Sequence, residues 1–383
     1  MFEKGNLQIQ LEPEIEKTLQ RIEAARVSEP YKLRKIDDLG ERLVSFLTEE
    51  GVREPRVENL KRLAGGASKE QFVFILKSTG NPSRRCVLRL EPTEGVAITS
   101  RQREMEALQL VRESVPVPEP LWVDPDGVWL GRPALITAFV EGVTKPTKSH
   151  SNVTGFGTVL GDSLRRRLVD PFVGHLCSIH AADINSPILK SFQIPNADPK
   201  QAARWQVNWW TKVWHSDALR GIPILGLAER WLKENLPFTA ELVLVHGDYR
   251  TGNYLFDENS AEITAILDWE FTHIGDYHED LAWTFLRLWS HSEKGMILAS
   301  SLLPSRELAA RYTALTGREV DVSILHFYQV FCLYKCSVIC LGSGLRAAHE
   351  AHNHQDALMS WLAPAGYVFI KELIDVMDRG PNL

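Results

Sequence analysis

Residues 242–270 read LVLVHGDYRTGNYLFDENSAEITAILDWE, and this stretch limits the fold more than any other part of the chain. Short apolar runs at 242–245 (LVLV), 254–256 (YLF) and 262–267 (EITAIL) alternate with a polar loop and a DENS turn, the pattern of a compact strand–loop–strand insert. From about residue 142 onward the sequence around the insert is mostly helical in its periodicity. A strand insert inside a helical half, joined to further strands nearer the N-terminus, predicts an α+β fold.

The first thirty residues, which include EPEIEKTLQRIEAARV, alternate charged and apolar groups and predict a helix ending by Pro30. Leu39, Leu43, Phe46 and Leu47 fall on one stripe, predicting a second helix over about 37–50 with Asp37 or Asp38 as its cap and Gly51 as its stop. FVFILK at 72–77, preceded by AGGASKE, and CVLRL at 86–90 read as a β-hairpin region. SRQREMEALQLVRES at 100–114 is helical, and the proline-rich VPVPEPLWVDPDG marks its exit. RPALITAFVEG at 132–142 reads as a buried strand running into a glycine suited to a hinge. The predicted division is a helical extension over 1–54, an N-terminal lobe of antiparallel sheet plus helix over 55–140, and a mostly helical C-terminal lobe over 141–383.

At 383 residues and 44% hydrophobic, the chain can bury a large core in two lobes. A net charge of -6 and a basic run no longer than Arg165–Arg166–Arg167 provide no cationic field, which argues against nucleic acid as a partner. The apolar stretch 324–344 carries His326, Gln329 and Lys335, so it predicts a buried helix rather than a membrane span. MFEKGNLQIQ lacks the apolar centre of a secretory signal, and the expectation is a soluble, cytoplasmic protein. Cys332, Cys336 and Cys340 recur at every fourth position; a straight row along one helix does not converge on a tetrahedral metal, so core packing is expected. His349, His352 and His354 in HEAHNH lack the HExxH spacing and predict an exposed polar turn.

The chemistry-bearing residues sit at the ends of the short strands. Asp248 follows the first, Asn253 precedes the second and Asp268 ends the third, in the joint pattern H-x-D-x4-N followed by an apolar strand ending in Asp. Phosphoryl transfer needs a carboxylate to accept or orient an acceptor hydroxyl proton, and oxygen ligands for magnesium at nucleotide phosphates. These residues supply both. His246, between a strand and Asp248, is expected to brace the loop by hydrogen bonds rather than transfer protons.

HGDYRTGN together with ILDWE resembles the aminoglycoside phosphotransferase superfamily of kinase-like enzymes, in particular the branch related to the kinase domain of acyl-CoA dehydrogenase family members 10 and 11. The resemblance extends from about residue 55 to the C-terminal helices through GGASKEQFVF, VLRL, REMEAL, VPVPEPLWV, SIHAADI and GDYHEDLAW. It implies a bilobal protein-kinase-like fold that binds ATP or GTP between the lobes. It further implies Asp248 as catalytic base or hydroxyl-orienting group, Asn253 and Asp268 as magnesium ligands, and Gly65, Gly66 and Ser68 as a hairpin tip over the phosphates. Arg89 stands where such folds usually carry a phosphate-contacting lysine, keeping the charge with a different reach. Its expected partner is Glu104, which shares a helical face with Leu108 and Val111, rather than Glu106. Asp280 in GDYHEDLAW is expected to hold the catalytic loop through backbone hydrogen bonds. No APE-like anchor follows Asp268, which disfavours a protein substrate.

Trp205, Trp209, Trp210 and Trp214 in RWQVNWWTKVW stand at helical spacing and read first as core, with an acceptor wall as the second reading. No dense acidic run in the C-terminal half suits a polycationic drug. The acceptor implied by the resemblance is therefore a small-molecule hydroxyl, in the first place that of a hydroxyacyl-CoA or hydroxy acid. An antibiotic, sugar or amino-alcohol kinase is the first alternative, and a nucleotide-binding pseudokinase or scaffold the second.

Overall fold

A computed structural model of the chain describes residues 10–25, 35–63, 68–92, 99–148, 157–350 and 356–383. Two helices open it, α1 (Pro13–Ala25) and α2 (Ile36–Glu49), and β1 (Arg56–Arg62), β2 (Glu70–Ser78) and β3 (Asn81–Leu90) follow. Helix α3 (Arg101–Val111) then leads to β4 (Pro120–Asp124) and β5 (Ala134–Ala138). The five strands form one antiparallel sheet in the order β1-β2-β3-β5-β4. Alternation along the strands divides its faces. Phe72, Phe74, Leu76, Cys86, Leu88 and Leu90 bury against Leu39, Leu43, Phe46 and Leu47 of α2, as the helical stripe predicts. Arg89, one residue out of phase, turns to the other face.

Sequence reading missed β1 and β4. RVENLKR carries only half-buried and exposed side chains because it is the edge strand, and PLWVD begins on a proline, tolerated because β4 is the opposite edge. Helix α2 is capped at Lys35 without a side-chain bond; Asp37 and Asp38 instead sit in its first turn, where carboxylates favour the helix dipole. Gly51 follows α2 at φ +82°, a left-handed stop.

The C-terminal lobe is built from α4 (Asp162–His180), α5 (Gln201–Asp217), α6 (Pro223–Glu234), α7 (His278–Thr284), α8 (Ser305–Thr316), α9 (Val322–Val338), α10 (Leu345–His349) and α11 (Asp356–Arg379). Between α6 and α7 lie β6 (Val243–Val245), β7 (Tyr254–Phe256), β8 (Ile263–Ile266) and β9 (His273–Gly275). The hairpin β7–β8 is the predicted one, whereas β6 pairs with β9, a strand of three residues too short to announce itself. A further small hairpin, β10 (His291–Glu293) with β11 (Met296–Leu298), precedes α8. The lobes meet at Gly142, where a Cβ would lie 2.7 Å from Thr264 Oγ1 and Val143 exchanges backbone hydrogen bonds with Phe256.

Helix α9 and its π-helical continuation Ile339–Gly344 run through the largest core, with Cys332, Cys336 and Cys340 buried as packing residues. The apolar helix is mostly enclosed by the protein. Trp209, Trp210 and Trp214 are buried in that core and Trp205 is buried beside them on α5, in accord with the core reading. Of the HEAHNH cluster, His352 and His354 lie outside the described residues. Helix α1, expected as part of the N-terminal helical extension, packs Ile15, Leu19 and Ile22, with Leu11 just before it, into this same large core beside Met105 and Leu108 of α3.

Candidate active site

The loop after β6 is fixed before it presents anything. Asp280, fully buried at the start of α7, accepts hydrogen bonds from the backbone N–H groups of His246 and Gly247, each at 2.8 Å, and lies 3.1 Å from His180 Nε2. Burial pushes its carboxyl upward, but the bonds from His180 and the backbone outweigh this and hold it below its ordinary value. Gly247 adopts φ +82° so close to Phe271 that a Cβ would meet its atoms at 2.7 Å; glycine is required. Lys335, reaching from α9, donates to Gly247 O at 3.1 Å and lies over the rings of Phe271 and Trp283. His246 accepts the Asp248 N–H at Nδ1 and places Nε2 3.0 Å from Leu267 O, which is the bracing role expected of it. Burial lowers its basicity, so the neutral ring suits that role.

On this frame Asp248 Oδ1 accepts from Trp283 Nε1 at 2.7 Å and from Arg250 Nε at 2.8 Å. Arg250 in turn lies 4.4 Å over the ring of Trp289. Asn253 donates its Nδ2 to Asp248 O at 2.9 Å, which leaves its Oδ1 as an acceptor, and its own carbonyl takes the Leu267 N–H, tying it to the strand that ends at Asp268. Asp268 sits at φ +60°, ψ +55°, a left-handed conformation that costs a non-glycine residue energy and turns its side chain out of the β8 direction.

From the N-terminal lobe Arg89 spans two carboxylates: one guanidinium nitrogen donates to Glu104 Oε1 and the other to Asp268 Oδ1 at 2.7 Å. The partner of Arg89 is thus Glu104; Glu106 instead accepts from Gln102 and from Ser191. The second oxygen of Glu104 accepts from Arg101, which also reaches Glu91. Lys69 lies 3.5 Å from Glu270, and the Ser68 hydroxyl also bonds that carboxylate. Gly65 and Gly66 lie outside the described residues. Burial depresses the Lys69 amine. Burial raises the Asp268 carboxyl to about 6, with Glu270, Asp248 and Glu104 adding to the rise and Arg89 opposing it. Because 37% of the Asp268 side chain remains accessible, water blunts that shift, but burial and the three neighbouring carboxylates both push it upward.

Among the described residues no group of three or more His, Cys, Asp or Glu gathers into a metal cage. Magnesium, however, is held by few protein oxygens together with water and phosphate. The free Oδ1 of Asn253 and the carboxylate of Asp268, crowded by like charge that a cation would offset, fit that requirement.

Sequence reading did not foresee Trp283, Arg250, Lys335 or Lys69 in the site. Arg250, Trp283 and Lys69 fall within HGDYRTGN, GDYHEDLAW and GGASKEQFVF, but nothing in those stretches marks them as partners of Asp248 or Glu270, and Lys335 reaches Gly247 across 88 positions with no motif of its own.

Residues 59–303 match the model of the phosphotransferase enzyme family. Acyl-CoA dehydrogenase family member 10 of Mus musculus is 27% identical over 275 residues, covering 68% of this chain and 24% of that protein. Family member 11 of Homo sapiens is 27% identical over 251 residues, 64% of this chain and 31% of that protein. The chain thus spans about a quarter to a third of the length of these curated relatives. Among solved structures, a candidate aminoglycoside phosphotransferase of Ralstonia eutropha superposes with a TM-score of 0.59 at 21% identity, covering 87% of this chain and 98% of that one. The aminoglycoside phosphotransferase APH(4)-Ia in complex with ADP and hygromycin B gives 0.53 at 17% identity, covering 86% and 98%. Macrolide 2'-phosphotransferase type I gives 0.55 at 17%, covering 88% and 97%. The architecture is the kinase-like fold of these enzymes, with an antiparallel-sheet N-terminal region and a helical C-terminal region.

Proposed function

The chain belongs to the phosphotransferase enzyme family, and on that premise we propose that it transfers the γ-phosphoryl group of ATP or GTP to a hydroxyl group of a small molecule. One observation carries this reading: Arg89 and Glu104 of one lobe meet Asp268 of the other, while Asn253 joins the Asp268 strand to the Asp248 loop. Asp248 is assigned the acceptor. With Oδ1 held by Trp283 and Arg250, its second oxygen is left to orient the hydroxyl and take its proton as the new O–P bond forms. Asn253 and Asp268 are assigned to magnesium, which when bound neutralises charge on the phosphates. Arg89 is assigned to the nucleotide phosphates, with Glu104 fixing its guanidinium. Ser68, Gly65 and Gly66 are assigned to the hairpin above them.

For the acceptor, the relatives whose names include acyl-CoA dehydrogenase favour a hydroxyacyl-CoA or hydroxy acid, whose phosphorylated hydroxyl becomes a leaving group. The structural neighbours favour antibiotics as the second reading. A coupled ADP-release assay with 4-hydroxyacyl-CoA, hydroxy acids, sugars, amino alcohols and aminoglycosides separates the two. The expected outcome is turnover on the acyl substrates; activity on the aminoglycosides alone would replace this acceptor with the second reading. Nucleotide binding without turnover on any acceptor would favour the scaffold role.

A further inference from the structure

Helix α1 lies outside residues 59–303, yet it is wired into α3, the helix that carries Glu104. Glu12, immediately before α1, receives both terminal nitrogens of Arg103 at 2.5 and 3.1 Å, a bidentate pair across 91 positions of sequence. The two side chains are 4% and 3% exposed. Glu12 also accepts the Gln193 N–H at 3.0 Å, and Arg103 donates to Ser191 O, so the pair is hydrogen-bonded on both sides. A second tie is Ser100, the N-cap of α3, whose hydroxyl donates to Glu14 at 2.7 Å. A third is Arg21, 2.9 Å from Glu91, the carboxylate that also receives Arg101. Below these polar ties Leu11, Ile15 and Leu19 share one core with Met105 and Leu108.

Arg103 and Glu104 are adjacent on one rigid helix. A displacement of α3 that loosens the first therefore moves the second relative to Arg89, whose fork demands a fixed geometry. Desolvated, bidentate contacts resist such displacement better than exposed ion pairs do.

We propose that α1 is a strut for α3, with Glu12 and Arg103 acting as positioning residues that set Glu104 against Arg89 and thereby tune nucleotide affinity. This rests on the phosphotransferase reading above. The test uses the full-length chain and its Glu12→Gln variant, with ADP plus magnesium as the probe and amide hydrogen exchange at 101–111 as a readout that needs no nucleotide. The expected result is an ADP Kd raised by about tenfold, a coupling of ordinary size between linked elements, together with faster exchange in α3. A folded Glu12→Gln protein with a lower Tm but the wild-type Kd would overturn the proposal, since a purely structural contact moves only the first. Should Glu12→Gln fail to fold, Glu14→Ala, which removes only the tie to Ser100, decides in the same way with a smaller expected rise. Wild-type protein that binds no ADP while α3 exchange still responds to Glu12→Gln would sink the functional reading and leave the strut standing.

Discussion

The loop that carries Asp248 and the ion network that carries Arg89 are held by different means. Around Asp248 the anchors act on backbone: Asp280 takes two successive N–H groups, Lys335 takes a carbonyl, and Gly247 supplies a turn no other residue fits. Around Arg89 they are side chain to side chain, running from Glu12 through Arg103 on α3, and from Glu104 through Arg89 to Asp268. Backbone anchoring fixes a loop whatever the side chains do, whereas a relay of charges transmits displacement. The first arrangement suits a group that must stay still, and the second suits a contact between lobes that can be tuned.

Three substitutions probe the contrast, and a fourth lies outside it. Asp248→Asn removes the proton acceptor and leaves the loop's backbone anchors intact, so turnover is expected to fall roughly a hundred- to ten-thousand-fold with nucleotide binding retained. Steady-state rates and ADP titration measure both; unchanged turnover would remove Asp248 from the reaction. Asp280→Ala leaves two buried N–H groups and His180 without their acceptor, and is expected to cost about 3–5 kcal/mol of stability by denaturant titration. A smaller cost would mean that the loop is held chiefly by Lys335.

Arg89→Lys keeps the charge but cannot serve Glu104 and Asp268 at once. The expected loss is about 1–2 kcal/mol in nucleotide affinity, read by calorimetry, with the Asp248 loop unaffected. The last effect is placed away from both regions, at Glu372 on α11. Burial raises this carboxyl to about 7 although it accepts the Arg287 N–H. A folded value above the ordinary 4.5 means that its contribution is fully present below pH 4.5 and is lost as pH rises through 7. Glu372→Gln should therefore flatten the decline in stability over that range and stabilise the protein by about 1–2 kcal/mol at pH 8. An unchanged pH profile of thermal unfolding would show that Glu372 is not the source.

Much of this was legible in the chain because strand alternation and helical stripes are local. The α2 stripe, the β2–β3 alternation and the β7–β8 hairpin follow from neighbours a few residues apart. Asp280 was legible through the GDYHEDLAW resemblance. The edge strands β1 and β4 were not, β1 for its lack of apolar alternation and β4 for its leading proline, and neither was the pairing of β6 with β9, because three residues carry no register information.

The sequence by itself determined the two-lobed α+β organisation and the trio Asp248, Asn253 and Asp268, because apolar periodicity and short-range spacing are written along the chain. Only the tertiary structure decided that Arg89 also reaches Asp268 of the other lobe, that Lys335 and Trp283 converge on the Asp248 loop, and that α1 packs beside α3. Those outcomes depend on which charged groups are desolvated together, a property of packed surfaces that no stretch of sequence contains.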